Sequence, residues 1–202
     1  MGRYVINAMD QIMRKKESIL TILNTERLTI RRFKPEDWQD LHAYLSLEDV
    51  IRYEPYGVFT EEESKREAAS RSENPAFWAV CLKDTGTLIG NLYFQQQEPK
   101  QFETWELGYV FHSGYQGFGY ATEASRELMK LGFNEFKARR MIAHCNPLNS
   151  RSWRLLERLK FRREGHALQT VYFKCDEAGN PLWHDTYSYG MLRDEWELIS
   201  HS

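Results

Sequence analysis

Residues Tyr115 to Ala124 read Tyr-Gln-Gly-Phe-Gly-Tyr-Ala-Thr-Glu-Ala, and their types and order suit the binding of an anion. They stand between a run that alternates like a strand, Thr104 to Phe111, and a run with helical spacing, Thr122 to Phe133. Gly117 and Gly119 let main-chain N–H groups approach something bulky, because no Cβ stands in the way. The helix that follows leaves its first N–H groups unpaired and its positive dipole end at the same spot. A phosphate or pyrophosphate is the ligand such a turn suits. Three glycine patterns compete here. A P-loop needs a Gly-Lys pair, and the chain has none. A dinucleotide fingerprint needs Gly or Ala where Thr122 stands, and an acid after the next strand, where Arg140 to Asn146 offers none. The third pattern, Gln or Arg, two residues, Gly, one residue, then Gly or Ala, is met in full from Gln116 to Ala121.

A carboxylate comes next. In Thr104 to Phe111, the residues Trp105, Leu107, Tyr109 and Phe111 form one apolar face. Glu106, Gly108, Val110 and His112 form the other, which sets Glu106, a candidate proton acceptor, apart from the apolar face. The plain alternative for Glu106 is a solvated or ion-paired strand residue. Glu103 is a weaker candidate, and Glu123, in a helix's first turn, suits a dipole or packing role. His112, His144 and His166 are scattered with no zinc-site spacing, so no metal is expected. Cys81, Cys145 and Cys175 form no Cys-x-x-Cys pair, which fits a reduced, cytoplasmic protein.

The elements that must position these groups can be read from periodicity. Leu28 to Phe33 alternates as a strand, and Lys34-Pro35-Glu36-Asp37 opens a helix carrying Trp38, Leu41 and Leu45. Thr60 followed by three glutamates opens a second helix. Phe77 to Leu82 and Thr87 to Phe94 flank a Gly-containing turn as a hairpin. Arg140 to Cys145 is a short strand, Ser150 to Leu159 a helix, and Phe161 to Val171 with Asp185 to Met191 closing strands. Residues 1–24 form an extension that packs on the domain or pairs two copies, with a helical face from Met9 and a strand over Ile19 to Leu23. Residues 25–200 make one domain.

The chain has 202 residues, 42% of them hydrophobic, enough for one sizeable core. A net charge of −2 argues against nucleic-acid binding by bulk charge. Arg139, Arg140, Arg151, Arg154, Arg158, Arg162 and Arg163 read as a solvated face or as contacts to phosphates. No run approaches the roughly 20 apolar residues of a membrane span.

Four motifs in order make the chain resemble the GNAT superfamily of N-acetyltransferases, in the branch of ribosomal-protein N-terminal (alanine or serine) acetyltransferases. They are Thr25-Glu26-Arg27-Leu28; Glu106-Leu107-Gly108-Tyr109 with Gly117 to Ala124; Asn149-x-x-Ser152 with Leu156-Glu157-Arg158-Leu159; and Asp185, Tyr189 and Glu195-Trp196. The resemblance implies a single-domain α/β fold whose mixed sheet splays between its fourth and fifth strands. It implies acetyl-CoA as co-substrate and a primary amine as acceptor, either a protein N-terminus or a small molecule. Gln116, Gly117, Phe118, Gly119, Tyr120 and Ala121 would hold the pyrophosphate, and Val110, Phe111, Asn149 and Ser152 the pantetheine arm. Asn149 has a second reading as a helix cap. Gly108 would mark a bulge or a close ligand approach. Glu106 would be the base. The tyrosine common in the penultimate helix is replaced by Leu156, so Ser152 is the remaining candidate there for the sulfur. Lys160 replaces a common glycine before Phe161, which implies a changed turn. A non-catalytic acyl-CoA module and a dinucleotide enzyme are the alternatives.

Overall fold

The computed structural model describes residues 22–200. The expected helical face from Met9, and all but the end of the expected Ile19 to Leu23 strand, lie outside them.

Among the described residues eight strands form one mixed sheet: β1 (Ile22–Asn24), β2 (Leu28–Arg32), β3 (Phe77–Leu82), β4 (Leu88–Gln96), β5 (Thr104–Phe111), β6 (Arg140–Cys145), β7 (Arg162–Cys175) and β8 (Pro181–Leu192). Their order across the sheet is β1-β2-β3-β4-β5-β6-β8-β7. Every neighbouring pair is antiparallel except β5 and β6, which run parallel. That parallel pairing covers only Thr104 to Glu106 against Arg140 to Ile142. Beyond it the two strands part, which is the expected splay. They are the fourth and fifth strands counted from Leu28, because β1 adds one strand ahead of them.

Six helices among the described residues cover the sheet: α1 (Trp38–Leu45), α2 (Glu48–Ile51), α3 (Glu61–Glu73), α4 (Tyr120–Asn134), α5 (Ser150–Arg158) and α6 (Arg193–Ser200). Thr60 and Glu63 form the capping box that starts α3. On one face the main core joins Leu107 and Phe111 of β5 to Leu128 and Phe133 of α4, Leu156 of α5 and Trp196 of α6. On the other face a smaller core joins Leu41, Tyr44 and Leu45 of α1 to Ala79 and Cys81 of β3. Among the described residues of β5, Val110 alone packs against that second layer. No described helix covers the Glu106 side of β5 and β6.

Several expectations shift in detail. α4 begins at Tyr120, two residues earlier than its periodicity suggested, because Gly119 turns the chain with φ +85° as its N-cap. Gly132, in the last turn of α4, is a packing residue. A Cβ there would lie 2.3 Å from Met141 Cε and 2.5 Å from Phe94 Cζ. Lys160, where the resemblance implied a changed turn, takes the left-handed conformation itself, φ +69°. β7 and β8 extend well past their expected limits, because their outer halves are solvent-exposed and carry no buried alternation to mark their ends.

Candidate functional site

The site is built where β5 leaves β6. Across the other edge of β5, the ladder with β4 runs unbroken from Trp105 opposite Gln96 to Phe111 opposite Gly90. No bulge stands at Gly108; its position is explained by Tyr93, whose Cβ would lie 3.3 Å from a Cβ on residue 108. The His112 N–H donates to the Ile89 carbonyl at 2.9 Å. Antiparallel alternation then turns the main-chain groups of Val110 and Gly108 toward β4 as well, and those of Leu107, Tyr109 and Phe111 toward the opening. Val110, expected to meet the pantetheine arm, therefore spends its main chain on β4 and its side chain on the second core. Phe111 turns its main-chain groups toward the opening.

At the end of β5 the chain passes through a short turn at Ser113–Tyr115 into Gln116 and the two glycines. Gln116 Nε2 donates to the Phe111 carbonyl at 3.3 Å, tying the turn to the strand. Gly117 and Gly119 both have positive φ, +87° and +85°. A Cβ on Gly117 would meet nothing within 4 Å. Among the described residues, none accepts from the N–H groups of Gly117 to Thr122; the first helical bond there is Glu123 N–H to the Gly119 carbonyl at 3.0 Å. Donors without acceptors around open space fit a diphosphate. Gln116, Gly117, Phe118, Gly119, Tyr120 and Ala121 are thus brought together as expected. Phe118 is 61% exposed and contributes its main chain.

Arg27 is a residue that the sequence did not single out by role. Its N–H and Nε donate to Glu123 at 3.0 and 2.8 Å, and its Nη1 donates to the Phe118 carbonyl at 3.0 Å. Its guanidinium lies 4.5 Å from the centre of the Tyr120 ring. Thr25 Oγ1 also donates to Glu123, at 2.5 Å. Burial pushes the Glu123 carboxyl up, but the hydrogen bonds from Thr25 and Arg27 and the Arg27 charge outweigh it, and the net value is below the ordinary 4.5. Glu123 thus fastens the start of α4 to the segment before β2.

Glu106 pairs with Ile142 at the last rung before the strands part. It is half-buried and has no ion-pair partner among the described residues. Tyr93, diagonal to it on β4, has its hydroxyl raised by burial and then by the Glu106 charge, so the two groups stand close. An open groove of about 480 Å³ adjoins this face, lined among others by Gln97, Phe102, Thr104, Ile142 and His144. Glu103 sits just before β5 with φ +48°, and its carbonyl accepts from Arg139 N–H at 2.9 Å, a structural position.

On the opposite face of β5, Tyr109 reaches the first turn of α5. Its hydroxyl lies 3.0 Å from both the carbonyl and the Oγ of Ser152. Asn149 caps that helix, its Oδ1 accepting from Ser152 N–H at 3.2 Å, so the capping reading holds for its oxygen. Leu156 is fully buried in the main core and offers no proton. Burial raises the Cys145 thiol to about 11, which keeps it a thiol. Of the basic stretch, Arg140, Arg162 and Arg163 are engaged by Glu164, Glu195 and Glu157. Among the described residues no His, Cys, Asp and Glu cluster could hold a metal ion, and no helix is long and apolar enough to cross a membrane.

The sequence pattern of the acetyltransferase (GNAT) domain matches residues 27–162. YnaD of Bacillus subtilis, an uncharacterized N-acetyltransferase, is 38% identical over 175 residues, which is 86% of this chain and 98% of its own. The crystal structure of a GNAT-family acetyltransferase from Bacillus anthracis has a TM-score of 0.76 at 37% identity, covering 87% of this chain and 100% of that one. A ribosomal-protein-S5-alanine acetyltransferase from Vibrio fischeri shares the fold at 23% identity, with a TM-score of 0.69 over 87% of this chain and 98% of its own. With a splayed β5–β6 pair, a glycine turn of open N–H groups and these relatives, the chain belongs to the GNAT family of N-acetyltransferases.

Proposed function

We propose that this acetyltransferase moves an acetyl group from acetyl-CoA directly to a primary amine, with the α-amine of a protein N-terminus as the first acceptor to consider. The observation that carries this is the continuity from the acceptor-free N–H groups of Gly117 to Thr122, through the opening along β5, to Glu106. Acetyl-CoA, the co-substrate that the family implies, supplies the activated acyl group when bound. The turn's N–H groups bind the diphosphate, and the main-chain groups of Leu107, Tyr109 and Phe111 orient the arm. A main-chain N–H facing the opening is placed to hold a carbonyl oxygen as negative charge builds on it.

Glu106 takes the proton from the amine. An α-amine has a pKa near ~8, so about a tenth is already free base at pH 7, whereas a lysine at ~10.4 is almost wholly protonated. The first acceptor therefore asks less of a base than a lysine does. The Vibrio fischeri fold neighbour is named for an alanine of ribosomal protein S5, which suggests the first peptides to try.

The test is a panel of amines with detection of released CoA thiol: peptides beginning with alanine or serine, peptides offering only lysine, and polyamines. Glu106→Gln should lower kcat by about 100-fold or more and leave CoA affinity nearly unchanged. Unchanged turnover with the best amine would remove Glu106 from the base role. CoA binding with no amine turned over would make the chain an acyl-CoA-binding module, and turnover of small amines alone would move the acceptor to that class.

A further inference from the structure

We infer that Tyr109 is a catalytic residue, the proton donor to the sulfur that leaves on acetyl transfer, with Ser152 as the residue that positions its hydroxyl. This rests on the acetyl-transfer reading above. The geometry comes from one strand. Alternation along β5 places Glu106 on the open face and Tyr109 on the face toward α5, while the main-chain groups of Tyr109 itself face the opening between them. A base thus stands on one side of the sheet at the opening, and on the other a phenol reaches the first turn of α5.

The hydrogen bonds decide which hydroxyl gives the proton. Tyr109 has one hydroxyl proton. Its contact with the Ser152 carbonyl, 3.0 Å, can only be donated by the phenol. The second 3.0 Å contact is then donated by Ser152 Oγ to the phenol oxygen. The Ser152 hydroxyl proton is already committed, and Leu156, the other position considered on α5, carries no proton at all. Tyr109 can turn its proton from the carbonyl to the sulfur while Ser152 Oγ–H stays on the phenol oxygen. Burial holds the phenol above its ordinary value, so it remains a protonated donor throughout the neutral range.

The step balances. Tyr109 Oη gives its proton to the sulfur as the carbon–sulfur bond breaks and leaves its electron pair on sulfur, the amine nitrogen having bonded to the acyl carbon. The phenolate is held by Ser152 Oγ–H and takes a proton back from water, while Glu106 releases to water the proton it took from the amine.

The test compares CoA with desulfo-CoA, which carries hydrogen in place of the thiol, by titration calorimetry on the wild type, Tyr109→Phe and Ser152→Ala. The wild type should prefer CoA by about threefold to tenfold, the reach of one hydrogen bond. Tyr109→Phe should lose that preference and bind desulfo-CoA as before. With the amine found above, Tyr109→Phe should lower kcat by about 100-fold with KM for acetyl-CoA little changed. Ser152→Ala should lower kcat by less, and it carries the same comparison should Tyr109→Phe not fold. Equal losses of CoA and desulfo-CoA affinity, or an unchanged kcat in Tyr109→Phe, would overturn the assignment. A wild type that binds neither compound would instead bring down the acetyl-CoA reading on which it rests.

Discussion

Filling the glycine turn separates ligand binding from folding. Gly117 and Gly119 have φ of +87° and +85°, and Gly86, in the distant β3–β4 turn, has +75°. A Cβ on Gly117 or on Gly86 meets no atom within 4 Å, and on Gly119 it meets only Arg27 Nη2 at 3.6 Å. Glutamine at any of the three is therefore strained by backbone conformation, about 1–2 kcal/mol, and not by collision. For a domain of this size that lowers the melting temperature by about 2–8 °C. Ligand binding should respond very differently. Each N–H bond to a charged group contributes about 1.5–3 kcal/mol, so disturbing two of them costs about 3–6 kcal/mol and at least about 100-fold in affinity. Calorimetric titration with CoA and a thermal melt, run on Gly117→Gln, Gly119→Gln and Gly86→Gln, measure both quantities. All three should melt alike, and only the first two should lose CoA. If Gly117→Gln and Gly119→Gln bind CoA within threefold of the wild type, the diphosphate does not lie on this turn.

Arg27→Ala should lower the melting temperature by about 2–4 °C, as expected for a half-exposed ion pair worth about 1 kcal/mol, and weaken CoA binding by about threefold to tenfold as the Phe118 carbonyl loses its donor. Because the Glu123 carboxyl lies below its ordinary 4.5 in the folded state, this stabilisation is full above that value and is lost as pH falls through the folded one. Melts of the two proteins should therefore differ by a steady amount from pH 8 to 5 and by less as the pH falls below 4.5; a constant difference throughout refutes the linkage. Glu54 has the opposite sign. Burial raises it to about 7, against a hydrogen bond from Tyr56 and the Arg71 charge, so its favourable contribution is full below 4.5 and gone above about 7. Glu54→Gln should stabilise the protein at pH 8 by at most about 3 kcal/mol and change little at pH 4.5, as read from urea melts. An equal gain at both pH values would place the effect elsewhere.

Local order made much of the site legible. The turn and the alternation of β5 depend on residues two to four positions apart, and such patterns survive in a single sequence. The same rule that put Glu106 opposite Trp105 and Leu107 holds in the fold. Contacts between distant segments left no such mark. Arg27 and Glu123 are 96 residues apart, and nothing periodic joins them. An arginine just ahead of a strand and an acid in a helix's first turn were both visible, but not their pairing. Asn149 could be read two ways because a cap and a ligand contact call for the same side chain. The lengths of β7 and β8 were hidden because an exposed ribbon needs no apolar alternation.

The splay itself shows where the fold yields stability to function. Had β6 continued beside β5 past Ile142, the Leu107 carbonyl and the groups of Tyr109 and Phe111 that face the opening would have joined a ladder, each bond contributing about 0.5–1.5 kcal/mol. Among the described residues, the Leu107 N–H is taken up at the last rung, where Glu106 stands opposite Ile142, and the Phe111 carbonyl recovers a partner from Gln116. Main-chain groups left open beside a packed core are costly unless something polar occupies the gap. Tyr109 does not occupy it, since its side chain turns toward α5 and leaves its own N–H and C=O exposed to the opening. The strand thus forgoes pairing over the stretch that lies between the anion turn at one end and Glu106 at the other. An extended ligand with a charged head, amides along its length and a reactive end fits all three parts at once, which a free phosphate or a compact nucleotide does not.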